Sequence, residues 1–168
     1  FDYVYTTDYN VIEKYKYFGC KNVDILPFSA NTEIFNLIKY NNKQEDKLIF
    51  AGAWYSRFIH RSILLKNILR KLDNKFIIYD RNYHRNDPDY YYPSEFNKII
   101  KPTVGLNELC NIYKTNRIIL NLNSVTDSPT MFARRIFEIL CSGAFPISNF
   151  NLGLDLIFGG YLNFIDTN

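Results

Sequence analysis

Short apolar runs alternate along this chain with stretches of helical spacing, and polar loops separate them. The runs at 2–6, 22–26, 47–50, 75–79, 96–100, 117–122, 145–148 and 161–165 read as strands. Helices are predicted over 8–18, 34–39, 60–72, 107–114, 131–141 and 152–158. Gly19 and Gly143 stand where a helix stops, and Pro27 and Pro102 close strands. In 60–72 the residues Ile63, Leu64, Ile68 and Leu72 form one apolar stripe. Strand and helix in strict alternation predict βαβ units on a mostly parallel sheet.

The polar stretch 41–46 reads as a surface connector. From about Lys47 onward the pattern predicts one doubly wound α/β domain, and 1–35 looks like the end of a preceding α/β unit. Such sheets bind ligands at the carboxyl ends of their strands. That directs attention to the loops 51–60, 80–95, 101–106 and 123–131.

The 168 residues are enough to bury a core without staples, and 47% hydrophobic with 22% charged is a globular profile. No apolar run reaches the roughly 18 residues that cross a bilayer. A net charge of +3 does not suit a polyanion-coating protein, so nucleic acid is not the expected partner. Cys20, Cys110 and Cys141 are odd in number and form no CxxC, which argues against a disulfide framework or zinc ribbon and fits a reducing cytoplasm. A start at Phe1 rather than Met suggests an excerpt of a longer protein.

Two constellations carry candidate chemistry. Gly52 follows a strand, and Arg57 and Arg61 follow it at the entry to a helix. A glycine there admits close backbone approach, and guanidinium forks match phosphate oxygens. On spacing alone a solvated basic turn is equally expected. The second is the run from Ser124, where Ser128-Pro129-Thr130 feeds a helix carrying Arg134, Arg135 and Glu138. A Glu close to a small-residue helix end suits the two vicinal hydroxyls of a ribose, although such pairs are usually surface salt bridges. Asp87-Pro88-Asp89 reads as a turn and not a metal site, because it lies in a polar loop. His60 and His84 have no partner at metal or triad spacing, and HExxH and GxSxG are absent.

The run Arg135-Ile136-Phe137-Glu138 through Gly143 resembles the R-x-F-E-x-x-x-x-G segment of group 1 glycosyltransferases of the CgeB-like (spore maturation protein) branch. Phe50-Ala51-Gly52 with Arg57 and Arg61, then Asn107-Glu108-Leu109, Arg117 to Asn123, and the front piece ending Leu26-Pro27-Phe28-Ser29-Ala30-Asn31 agree in order. The resemblance implies a GT-B fold, two Rossmann-like domains facing a cleft. Residues 1–35 would then be the tail of the acceptor-side domain and its connector, and 36–168 the nucleotide-sugar-binding domain, truncated at its end.

What the resemblance implies for function is a metal-independent, retaining transfer from a nucleotide-diphosphate sugar to a glycan, protein or lipid-linked acceptor. No cofactor is expected, and the excerpt alone is expected to be inactive. Glu138 would hold the ribose, with Arg135 supporting it or meeting phosphate. Arg57, Arg61 and Gly52 would face the diphosphate. Thr130, Met131 and Phe132 would face sugar and phosphate, and Lys101, Thr103 and Val104 the base. Glu138 and the Arg57/Arg61 pair must then converge on one crevice. Many relatives carry a second Glu eight residues before the first, where this chain has Thr130. The alternative expectation is therefore a non-catalytic nucleotide- or glycan-binding module of the same fold. An unrelated receiver or flavodoxin-like domain would need an acidic cluster or a flavin-phosphate loop near the first strand, and the sequence shows neither.

Overall fold

The computed structural model describes residues 1–38, 45–72 and 75–165. The front segment is one βαβ unit: β1 (Tyr3–Thr6), α1 (Ile12–Tyr17) and β2 (Asn22–Ile25), with the two strands paired in parallel. Residues 32–38 form turns instead of the helix expected over 34–39, and Lys39 lies outside the described residues. The Asn31 side chain accepts from the Glu33 amide, and the backbone oxygen of Asn31 accepts from Ile34 and Phe35, which closes a tight turn. Most of the expected connector, 41–44, also lies outside the described residues, and Glu45 and Asp46 already belong to a strand.

The main body is a sheet of six parallel strands: β3 (Glu45–Gly52), β4 (Phe76–Asp80), β5 (Ile100–Lys101), β6 (Asn116–Asn121), β7 (Phe145–Asn149) and β8 (Asn163–Ile165). Their spatial order is β5-β4-β3-β6-β7-β8. The chain winds outward from β3 to one edge, crosses back, and winds outward from β6 to the other. This is the Rossmann-like doubly wound arrangement, with its switch point between β3 and β6.

Alternation along the central strands decides the two cores. Phe50 and Leu120 face α2 (Ile59–Leu72), while Ile49 and Ile119 face α3 (Leu106–Thr115) and α4 (Arg135–Cys141). On α2 the buried face is Leu65, Ile68 and Leu69; Ile63 and Leu72 are exposed, so the apolar stripe lies rotated from the one expected. The helix meets Phe50, Phe76 and Ile78 through that face, and the sheet's aromatic ridge decides which of two adjacent apolar rows is covered. α5 (Leu152–Phe158) coincides with its expected span and is capped by Asn151, whose Oδ1 accepts from the Leu154 amide at 2.9 Å.

Three further elements differ from the sequence pattern. Residues 94–99 form a 3-10 turn with Phe96 buried in the α2 core, and only Ile100 and Lys101 pair with β4. Tyr161 ends a 3-10 turn, so β8 begins at Asn163. α4 begins at Arg135 instead of Met131, because side chains capture the amides that would start it earlier. Ser128 Oγ accepts from the Thr130 and Met131 amides at 3.3 and 3.0 Å, and Asn123 Oδ1 accepts from Ala133 at 2.8 Å.

α5 presses directly on this loop. A Cβ on Gly153 would stand 2.7 Å from the Pro129 carbonyl oxygen and 2.9 Å from Phe132 Cδ1. Since one of those neighbours is backbone, Gly153→Ala is expected to cost about 1–3 kcal/mol in urea unfolding, the usual range for overpacking. An unchanged midpoint would show that the loop gives way freely.

Candidate functional site

The site grows from Gly52 at the carboxyl end of β3. Its missing Cβ makes room for the Phe50 ring: a Cβ there would lie 2.5 Å from Phe50 Cζ. The space is thus filled by an aromatic ring. Above that ring stand two guanidiniums, with Arg61 Cζ 5.7 Å and Arg135 Cζ 5.4 Å from the ring centroid. Arg61 also lies 5.2 Å from the Tyr55 ring and donates to the Ala53 carbonyl at 3.1 Å. Its Nε is buried with no partner, and only 7% of the residue is exposed. Among the described residues, neither guanidinium forms an ion pair with a carboxylate.

The electrostatics agree with that crowding. Burial holds Arg61 below the usual arginine value; Tyr92 opposes this and the charge of Arg135 adds to it. Burial pushes the Tyr92 phenol up, Asp80 adds to the push, and Arg61 and Arg135 oppose it. Tyr92 donates its hydroxyl proton to the Gly52 carbonyl at 2.9 Å.

Glu138, 6% exposed, projects from α4 into a cavity of about 550 Å³. Arg134 Nε donates to its Oε1 at 2.9 Å. Thr103, Val104, Arg81, Arg134 and Arg135 line the same cavity, and Phe28 of the front segment closes one wall. The cavity lies at the strand ends on the α3/α4 side, next to the switch point.

The expected residues divide as follows. Glu138, Arg135, Thr103 and Val104 share this cavity. Arg61 opens on the α2 side, into a separate cavity of about 570 Å³ with Asn123 and Asn149, so the expected convergence of Glu138 with the Arg57/Arg61 pair on one crevice is not met. Arg135 links the two, lining the Glu138 cavity and reaching the Phe50 ring that Arg61 also covers. Arg57 is exposed and lies over the Phe58 ring at 5.5 Å, apart from the cluster. Lys101 is exposed on the edge strand.

The loop 130–132 is committed elsewhere. Thr130 Oγ1 donates to the Thr7 carbonyl and accepts from the Tyr9 amide, both at 2.9 Å. Ser128 Oγ donates to Asp8 at 2.7 Å, and Phe132 is buried in the core under α5. These residues fasten the front segment to the main body. Asp87 caps the 3-10 turn Pro88–Tyr90 and pairs with Arg85, as expected of a turn.

Two features lay outside the sequence reading. One is a buried polar network: Asn121 and Asn123 donate to Ser148 Oγ at 3.0 Å, and Asn149 Oδ1 accepts from the Asn123 amide at 2.7 Å. It locks the ends of β6 and β7 and fixes the loop that delivers Arg135. The signal was the cluster of Asn and Ser at the ends of two apolar runs. The other is Asp80, 6% exposed at the end of β4, whose position after an apolar strand marked it as a strand-end carboxylate.

Comparison of the chain with protein-family models, with curated proteins and with solved structures finds no match in any of the three. Among the described residues, no group of three or more His, Cys, Asp or Glu is placed to hold a metal, and no helix is long and apolar enough to cross a membrane.

Burial raises the Asp80 carboxyl above its usual value, and the Asn82 amide partly opposes this. A folded carboxyl with a raised pKa holds its proton when the unfolded chain has lost it, so stability falls as pH rises through that interval. Asp80→Asn keeps the acceptor for the Asn82 amide and removes the buried charge. The variant should melt higher than the parent at pH 7, by a margin that shrinks toward about pH 4. An equal or lower melting temperature at pH 7 would contradict the uncompensated charge.

Proposed function

We propose that this chain is the donor-binding half of a glycosyltransferase that uses a nucleotide-diphosphate sugar. Sugar transfer rests on the resemblance of Arg135 to Gly143 to the group 1 glycosyltransferase segment, and the observation that supports its nucleotide site is the cavity at the switch point that holds Glu138 and Arg135 together, beside a second guanidinium with no ion pair among the described residues. A buried carboxylate suits vicinal ribose hydroxyls, and unpaired guanidiniums suit a diphosphate. Thr103 and Val104 would border the base.

In the reaction, the bond from the anomeric carbon to the diphosphate oxygen breaks and a bond to an acceptor hydroxyl forms. Arg135, with Arg61 behind it, would stabilise the departing charge without a metal. Glu138 positions the donor, and its free Oε2 takes the hydroxyls while Arg134 holds Oε1. The amides of Thr130 and Met131 contribute nothing to phosphate, since Ser128 occupies them. The acceptor, a glycan, protein or lipid-linked chain, would be bound by a facing domain, and the setting would be the cytoplasm. Retention of configuration belongs to the same proposal.

One observation favours a second reading, a non-catalytic module. Thr130 stands where many such transferases carry a further carboxylate, and its hydroxyl is used to clamp Thr7 and Tyr9.

Calorimetry with UDP, GDP, ADP, CDP and dTDP tests the site. One of them should bind, and Glu138→Ala and Arg135→Ala should each weaken it by about 1–3 kcal/mol. No binding across the panel, or affinity unchanged in both variants, would overturn the proposal. Binding without turnover of any matching nucleotide sugar by the full-length protein would assign the module reading.

A further inference from the structure

We propose that the cavity at the carboxyl end of β4, floored by Asp80, is a subsite for a neutral sugar residue. It encloses about 530 Å³ on the α2 side of the sheet and shares no lining residue with the Glu138 cavity. The subsite does not depend on the nucleotide reading.

The argument starts from a buried charge. Asp80 is 94% withdrawn from solvent (6% exposed) and lines the cavity. Its Oδ1 accepts from the Asn82 amide at 2.9 Å, and among the described residues no other hydrogen bond or ion pair reaches the carboxylate. Tyr92, its neighbour, gives its hydroxyl proton to Gly52 instead. The second Asp80 oxygen has no donor among the described residues and is not sealed off, so a mostly buried carboxylate offers a ligand an open acceptor at the cavity.

The rest of the lining selects the donor. Asn82, half-buried, and Ser94 and Asn97, both exposed, supply side-chain amides and a hydroxyl to the lining. Tyr83 and Tyr91 stand half exposed at the rim, and the Tyr91 hydroxyl is fixed by donating to Asn86 Oδ1 at 2.7 Å. Aromatic rings at a polar cavity can stack against the apolar face of a pyranose, while its hydroxyls donate to a carboxylate and exchange bonds with amides. An anion is excluded by the Asp80 charge. A divalent ion would need more carboxylates than this cavity has: Asp87 is paired with Arg85, and Asp89 accepts from Ser56. The volume accommodates one or two sugar rings and sits within the usual range for small-ligand sites.

Saturation-transfer-difference NMR tests this without nucleotide. The probes are the methyl α-glycosides of glucose, galactose, mannose and N-acetylglucosamine at millimolar concentration. The parent chain should transfer saturation to at least one of them. Asp80→Asn and Tyr91→Ala should each reduce that transfer at least about fivefold, the loss of one charged hydrogen bond or one stacking face. Asp80 and Tyr91 do not line the Glu138 cavity, so loss in those two variants separates this subsite from the nucleotide cavity. Thermal melting confirms that each variant is folded, and Tyr91→Ala alters only a half-exposed ring if Asp80→Asn is not. Absence of transfer from all four glycosides would overturn the proposal. So would equal transfer in the parent and in both folded variants.

Discussion

Two positive charges on one aromatic ring, with no ion pair to a carboxylate among the described residues, form the constraint on which this structure turns. The tip of the Phe50 ring fills the gap left by Gly52, and Arg61 and Arg135 approach the ring from helices that belong to different halves of the sheet. The π face repays part of their desolvation, at roughly 0.5–2 kcal/mol per contact. It does not neutralise them. A pair of like charges this close to the apolar core of β3 is a standing demand for an anion, and the sheet offers it where the two halves diverge.

Everything around the pair serves to hold it there. The Asn121–Asn123–Ser148–Asn149 network ties β6 to β7 beneath the loop, and Asn151 reaches up to the carbonyls of Val125 and Met131. α5 presses from below through Gly153. The front segment pins the loop's outer edge through Asp8 and Thr130. Those bonds also explain why the loop carries no free amides at Thr130 and Met131: its polar groups are used to set a shape, and the charge is supplied by side chains from α4.

The fold was largely legible because it is written in local alternation. The strands at Phe50, Ile78, Leu120 and Ile147 and the helix at Leu154 follow from runs of apolar residues and the caps beside them. The start of α4 was not legible, since Asn123, Ser128 and Asn151 bind the backbone of its expected first turn and one of the three, Asn151, comes from another loop. The 3-10 turn at Phe96 escaped for a related reason: the ring is drawn into the α2 core, where a strand would have faced it along the sheet. Of the site, Glu138 and Arg135 could be read from their spacing on one helix. That Arg135, and not Arg57, stands with Arg61 depends on which side of Phe50 each helix arrives from, and no linear pattern states that.

The most direct test of the paired charges uses the smallest diphosphate. Calorimetric titration with inorganic pyrophosphate should show binding to the parent chain that weakens with added salt. Replacing either guanidinium by methionine keeps the apolar stem on Phe50 and removes the charge. Arg61→Met and Arg135→Met should each lower the affinity by about tenfold or more, as loss of a charge-assisted bond requires. Pyrophosphate that fails to bind the parent, or binds both variants as tightly, would contradict the account.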